Sequence, residues 1–228
     1  MRKFAGVLIA TMTMAFVVAA SGRAEASFQL QLQETGFANL TITDNLAGDL
    51  NGTAGIISFT GVYGDYNIVV DVGTSYPFIG SPTTPLMDLT FNVTTNNAAL
   101  NPAALTLLLS NTGFTAIGAG KDSIGGTADG PVTYATFWSA SNLDFDMAHQ
   151  FDGTLNFGAG AFSGSGSGAG PGAGSTPYSL TQKITIDHAA GLNQQTTGDA
   201  KLTVPEPATM ALFGMGLLGL AARRRRVV

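Results

Sequence analysis

Residues 27–33 read SFQLQLQ, with apolar side chains at Phe28, Leu30 and Leu32 and glutamine amides between them. A two-residue repeat places the apolar positions on one face of an extended chain, as in a strand with one buried face. The same alternation returns at Leu40 and Ile42, Ile57 and Phe59, Ile68, Val70 and Val72, and Leu89, Phe91 and Val93. It continues at Leu105, Leu107 and Leu109, and at Leu180, Ile184 and Ile186. Turn-forming residues cluster between these runs at 48–52 (GDLNG), 63–67 (YGDYN), 75–85 (SYPFIGSPTTP), 111–113 (NTG) and 125–131 (GGTADGP). No helical period persists, so the expected fold of residues 27–204 is all-β, an antiparallel β-sandwich of jelly-roll or Ig-like type with about eight to ten strands.

One stretch departs from this pattern. Residues 158–177, GAGAFSGSGSGAGPGAGSTP, place glycine at almost every even position. The spacing is silk-like, but glycine and serine at this density predict a flexible coil inserted in the domain. Residues 188–203 are polar and are expected to hold the last strand and a short spacer.

The chain has 228 residues, 45% hydrophobic and only 11% charged, with 30 glycines and no cysteine. Lack of cysteine removes disulfides and thiol chemistry, so stability has to come from a packed core. Between residues 27 and 204 the basic side chains are Lys121, Lys183 and Lys201, set against thirteen carboxylates for a net charge of −10. That field repels phosphate backbones and excludes a nucleic-acid partner.

Both ends carry localisation chemistry. The N-terminus has Arg2 and Lys3, an apolar run from Phe4 to Ala20, and Ala24-Glu25-Ala26 before Ser27. This is the layout of a signal peptide, residues 1–26, cleaved after Ala26; the competing reading is a first membrane helix. At the other end, residues 204–228 read VPEPATMALFGMGLLGLAARRRRVV. The uncharged run Ala208 to Ala222 spans roughly 22 Å as a helix, short of a ~30 Å hydrocarbon core. Arg223, Arg224, Arg225 and Arg226 resist translocation, which places everything between the two ends outside. Pro205, Glu206 and Pro207 fit either an extended segment shaped for a processing enzyme or an ordinary helix start. Gly214, Gly216 and Gly219 match GxGxxG literally, but too few residues follow for a nucleotide site.

The ordered combination of VPEP, a short apolar helix and a terminal arginine cluster resembles the PEP-CTERM sorting signal of Gram-negative exported proteins. The resemblance implies an exosortase as partner, an integral membrane enzyme that recognises Pro205, Glu206 and Pro207 and cleaves the signal. It further implies an inner-membrane intermediate held by Ala208–Ala222, with Arg223–Arg226 as the cytoplasmic stop. Segment 205–228 is then the sorting signal and 27–204 the extracytoplasmic cargo.

Two clusters in the cargo carry candidate chemistry. Asp44, Asp49 and Asn51 lie beside Gly48 and Gly52, an oxygen-rich spacing suited to Ca2+ or to plain turn formation. An EF-type loop counted from Asp49 needs an acid where Thr60 stands. Residues 141–153, SNLDFDMAHQFDG, bring Asp144, Asp146, His149 and Asp152 after the single tryptophan, Trp138. Trp138 with Asp144 and Asp146 suits sugar stacking and acid–base chemistry, or else a solvated acidic loop. No GxSxG, zinc-ligand spacing or phosphate loop accompanies them. The expectation is a non-enzymatic envelope or matrix protein with a structural or adhesive role linked to exopolysaccharide and biofilm. The alternative is a secreted carbohydrate-binding or glycan-active β-sandwich.

Overall fold

The computed structural model describes residues 26–96, 102–188 and 193–205. The signal peptide expected at 1–26 and the membrane helix and arginine cluster lie outside the described residues, apart from Ala26. Thirteen strands form among the described residues, more than the period-two runs alone suggest. They are β1 (Phe28–Glu34), β2 (Leu40–Thr43), β3 (Ile56–Tyr63), β4 (Tyr66–Thr74), β5 (Leu86–Thr95), β6 (Leu105–Phe114) and β7 (Gly120–Ala128). The chain continues with β8 (Val132–Ser139), β9 (His149–Gln150), β10 (Leu155–Phe157), β11 (Gly160–Gly168), β12 (Tyr178–Ile186) and β13 (Gln195–Thr203).

All pairings are antiparallel. One sheet runs β10-β8-β12-β6-β1-β2 with β9 beside β8; the other runs β11-β7-β13-β5-β4-β3. From β5 onward the chain crosses repeatedly between the two sheets. The inward residues of both sheets form one apolar cluster, with Leu30, Leu107 and Ile184 contributed by the first and Ile68, Phe91 and Leu202 by the second. Gly73 of β4 lies against Leu109 of β6 across the interface. Tyr134 of β8 donates its hydroxyl to the Lys201 carbonyl of β13 at 3.2 Å, another link between sheets.

The apolar alternation of β1 and β5 appears directly as alternating burial. Val72 is the exception: it is 38% exposed because the β4–β5 register shifts between Val70 and Val72. A bulge of this kind inserts one residue and reverses which face follows it. Two expected turns are strand instead. Asn111-Thr112-Gly113 belongs to β6, where the buried Asn111 amide donates to Ser75 Oγ at 2.9 Å and to the Tyr76 carbonyl at 3.0 Å. Gly125 to Ala128 belongs to β7, so only residues 129–131 turn.

The largest correction concerns residues 158–177. Rather than a flexible coil, Gly160–Gly168 is a nine-residue edge strand in register with β7, Gly164 opposite Ile124 and Gly166 opposite Asp122. The alternation has a packing reason. Ser163, Ser165 and Ser167 face outward, whereas Gly166 and Gly168 face the segment joining β9 to β10 and Gly164 faces β10. A Cβ on Gly164 would sit 2.8 Å from the Phe157 ring, and one on Gly168 would overlap the Phe151 carbonyl. Backbone and aromatic groups occupy the room that side chains leave vacant.

Candidate functional site

The sorting signal begins where the folded body ends. β13 runs to Thr203, Val204 is fully buried and donates its N–H to the Pro85 carbonyl at 3.2 Å, and Pro205 is exposed. Residues 195–203 are built into the sheet, so none of them serves as the expected spacer. Pro205 is held one residue from the core; Glu206, Pro207 and Arg223–Arg226 lie outside the described residues. Among the described residues no helix is long and apolar enough to cross a membrane.

In the 44–58 region the candidate calcium ligands act as turn acceptors. Asp49 Oδ1 accepts the N–H of Asn51 at 2.9 Å and of Ser58 at 3.0 Å, and its Oδ2 accepts Asn45 N–H at 3.0 Å. Asn51 Oδ1 accepts Thr53 N–H at 2.9 Å. Asp44 Oδ2 accepts Gly55 N–H at 2.7 Å, and burial followed by its neighbour Asp49 raises its pKa against the pull of that bond. Each side chain stabilises the loop backbone it sits in.

The second cluster is brought together only in part. Trp138 stacks on His149 across the β8–β9 pair with ring centroids 4.4 Å apart and planes inclined by 24°, and meets Tyr178 edge-on at 6.5 Å. One indole face is thus covered. Asp146 Oδ2 accepts Ser141 Oγ at 2.5 Å and Ser139 Oγ at 2.9 Å, and these hydroxyls hold its carboxyl below the usual range. Asp144 has the opposite environment: burial raises its pKa while Ser27 and Ser110 hydroxyls partly offset the shift. One carboxylate closes a hairpin and the other packs toward β6, so they form separate sites.

A third grouping was missed as a unit, because its members are thirty residues apart. Asp122 on β7 and Asp152 after β9 converge beside Gly166, with Thr136 Oγ1 donating to Asp122 Oδ2 at 2.5 Å. The signal available in sequence was the even-numbered glycine spacing, which marks a face that something else must fill. Among the described residues no three Asp, Glu, His or Cys side chains converge.

Outside this chain, the family model for the PEP-CTERM protein-sorting motif matches residues 203–226. No curated protein matches the chain significantly. Among solved structures, the K1 cleaved adhesin domain of Lys-gingipain from Porphyromonas gingivalis W83 aligns at 9% identity and a TM-score of 0.35, over 67% of this chain and 99% of that domain. A likeness that distant carries no argument. The motif match begins at the end of β13, where Val204 is the last buried residue before Pro205 reaches solvent. The chain thus carries, directly after its last strand, a PEP-CTERM protein-sorting motif, the signal that marks an exported protein for exosortase sorting at the cell envelope.

Proposed function

We propose that this is a non-enzymatic envelope or matrix protein with a jelly-roll body, held at the inner membrane by its C-terminal segment and then cleaved by the exosortase for delivery to the cell surface or matrix. The jelly-roll reading rests on the strand orders β5-β13-β7-β11 and β6-β12-β8-β10, the interleaving that two nested Greek keys produce. The observation that carries the functional reading is the sorting motif abutting β13.

A structural or adhesive role linked to exopolysaccharide is supported by the outer face of the second sheet. There Ser123, Ser163, Ser165 and Asp199 line a shallow concavity around Gly125. Beside it Thr127 and Thr197 hydroxyls pair at 3.0 Å, and Thr90 Oγ1 donates to Asp199 Oδ2 at 2.9 Å. A flat, hydroxyl-rich surface offers polysaccharide many weak hydrogen bonds, each compatible with retained water. The competing reading, a glycan module anchored on Trp138, is disfavoured because His149 covers one face of the ring. Calcium at Asp44, Asp49 and Asn51 is disfavoured because, of their side-chain oxygens, both of Asp49, Asp44 Oδ2 and Asn51 Oδ1 already accept backbone N–H groups, leaving Asp44 Oδ1 alone without a donor.

The test replaces Pro205, Glu206 and Pro207 with alanine and, separately, Arg223–Arg226 with serine, followed by cell fractionation and mass spectrometry of the mature termini. Both variants are expected to accumulate uncleaved in the membrane fraction. Surface delivery with an intact C-terminus in the unmutated protein would overturn the reading.

A further inference from the structure

Asp122 points inward from β7 between Gly120 and Ile124 and is 6% exposed. Its Oδ2 accepts the Thr136 hydroxyl, while its Oδ1 is buried without any donor and lies 2.9 Å from where a Cβ on Gly166 would be. Asp152 reaches the same position from the other side: its Oδ2 occupies the space above Gly166, and its Oδ1 is also buried without a donor. Two carboxyl groups therefore meet over one glycine, each with an unsatisfied oxygen.

Burial raises the Asp152 pKa, and the adjacent Asp122 charge raises it further; no basic group acts on it. Lys121, next to Asp122 in sequence, belongs to the opposite face of β7 and is exposed. Burying two like charges side by side is unfavourable unless a proton or a cation joins them. A shared proton neutralises one charge and leaves the other buried. A divalent cation neutralises both and takes the two oxygens that converge over Gly166, the bare Asp122 Oδ1 and Asp152 Oδ2.

We propose that Asp122 and Asp152 bind a divalent cation of the calcium type, which clamps the segment 149–157 onto the glycine face of β11. The donor set is two carboxylates with neutral oxygens and water to complete it, since no third acidic or imidazole group converges among the described residues. Such a set suits a hard, oxygen-seeking ion and not zinc. The Thr136 hydroxyl, bound to Asp122 Oδ2, is the neighbouring neutral oxygen. Affinities of extracellular calcium modules lie at about 10⁻⁴–10⁻³ M, so the clamp closes after export. It also explains the glycine at 166, where any side chain would expel the Asp152 carboxylate.

The experiment uses the full-length chain purified in mild detergent, stripped with EDTA and melted with and without excess calcium. With calcium about a hundredfold above its Kd, Tm is expected to rise by roughly 5–10 °C. Asp152→Asn should abolish the rise and, in EDTA, melt above the unmutated chain because one of the two like charges is gone. Asp122→Asn reads the same site independently, and calorimetric titration reports binding directly for either variant. Asp49→Asn should retain the full response. No calcium response in the unmutated chain, an undiminished response in Asp152→Asn and Asp122→Asn, or a response lost only in Asp49→Asn would each overturn the proposal. Coincident EDTA and calcium melts whose rise with falling pH exceeds that of Asp152→Asn would assign the pair to a shared proton and overturn it equally.

Discussion

Strands β6 and β11 both alternate, and they bury opposite kinds of residue. β6 turns Leu105, Leu107 and Leu109 into the core, whereas β11 turns Gly164, Gly166 and Gly168 toward the 149–157 segment and shows serine to solvent. In β6 the strand fills space; in β11 it vacates space for a neighbour. Period two is thus a property of burial geometry, and it shows up in hydropathy only when the inward residue is itself apolar.

The sharpest test of the space-filling half is Leu107→Ala. Leu107 is fully buried between the sheets, so its truncation should cost about 2–5 kcal/mol in denaturant unfolding. A loss below about 1 kcal/mol would mean that the two sheets pack loosely. Gly168→Ala breaks the other half. Its methyl group would overlap the Phe151 carbonyl, a backbone atom that moves only with its segment, so a loss of about 1–3 kcal/mol is expected. Local proteolysis near residue 151 should report the released segment, and unchanged stability would contradict the register of β11.

A smaller effect separates acidic groups by their surroundings. Glu34, Asp88 and Asp144 are each raised in pKa first by burial, with Asp65 acting on Glu34 and Asp199 on Asp88. A raised carboxyl binds protons more tightly in the folded chain, so its stabilisation is complete below the unfolded pKa and is lost as pH rises through the folded value. Asp146 runs the other way, its contribution present above the unfolded value and lost as pH falls below it. Asp44 is raised with them, whereas burial lowers the His188 imidazole, whose contribution is lost as pH falls through its folded value. With that imidazole removed by His188→Gln in the Asp152→Asn background, Tm should rise as pH falls toward the raised carboxyl values. An inverse slope would show that these carboxyls are better solvated than their burial indicates.

The smallest effect comes from Gly172→Ala in the same glycine-rich tract. No atom lies within 4 Å of the added methyl group, and stability should stay within ~0.5 kcal/mol. Together with Gly168→Ala it tells packed glycines from merely permissive ones.

Strands β1, β2, β5, β6 and β12 were legible because their inward residues are Leu, Ile, Val and Phe, and their burial follows. β7 and β11 were not, since glycine next to serine reads as turn or coil whether or not a neighbour fills its place. Val72 was misread because a bulge changes parity without changing composition. Among candidate site residues, Asp49 and Asn51 carried the turn chemistry that was one of their two expected roles. Asp144 and Asp146 looked like a pair from spacing alone, and β6 and the 139–146 hairpin separate them. Asp122 and Asp152 looked unrelated and meet at Gly166.

The sequence by itself determined the sorting signal and the all-β class, because both are written in contiguous residues: VPEP followed by an apolar run and arginines, and apolar side chains every second position. Only the tertiary structure decided that residues 160–168 are strand, that Val204 seats the sorting signal against the core, and that two distant carboxylates share one site. These depend on what a residue packs against, and a glycine holds no record of its neighbour until the sheets come together.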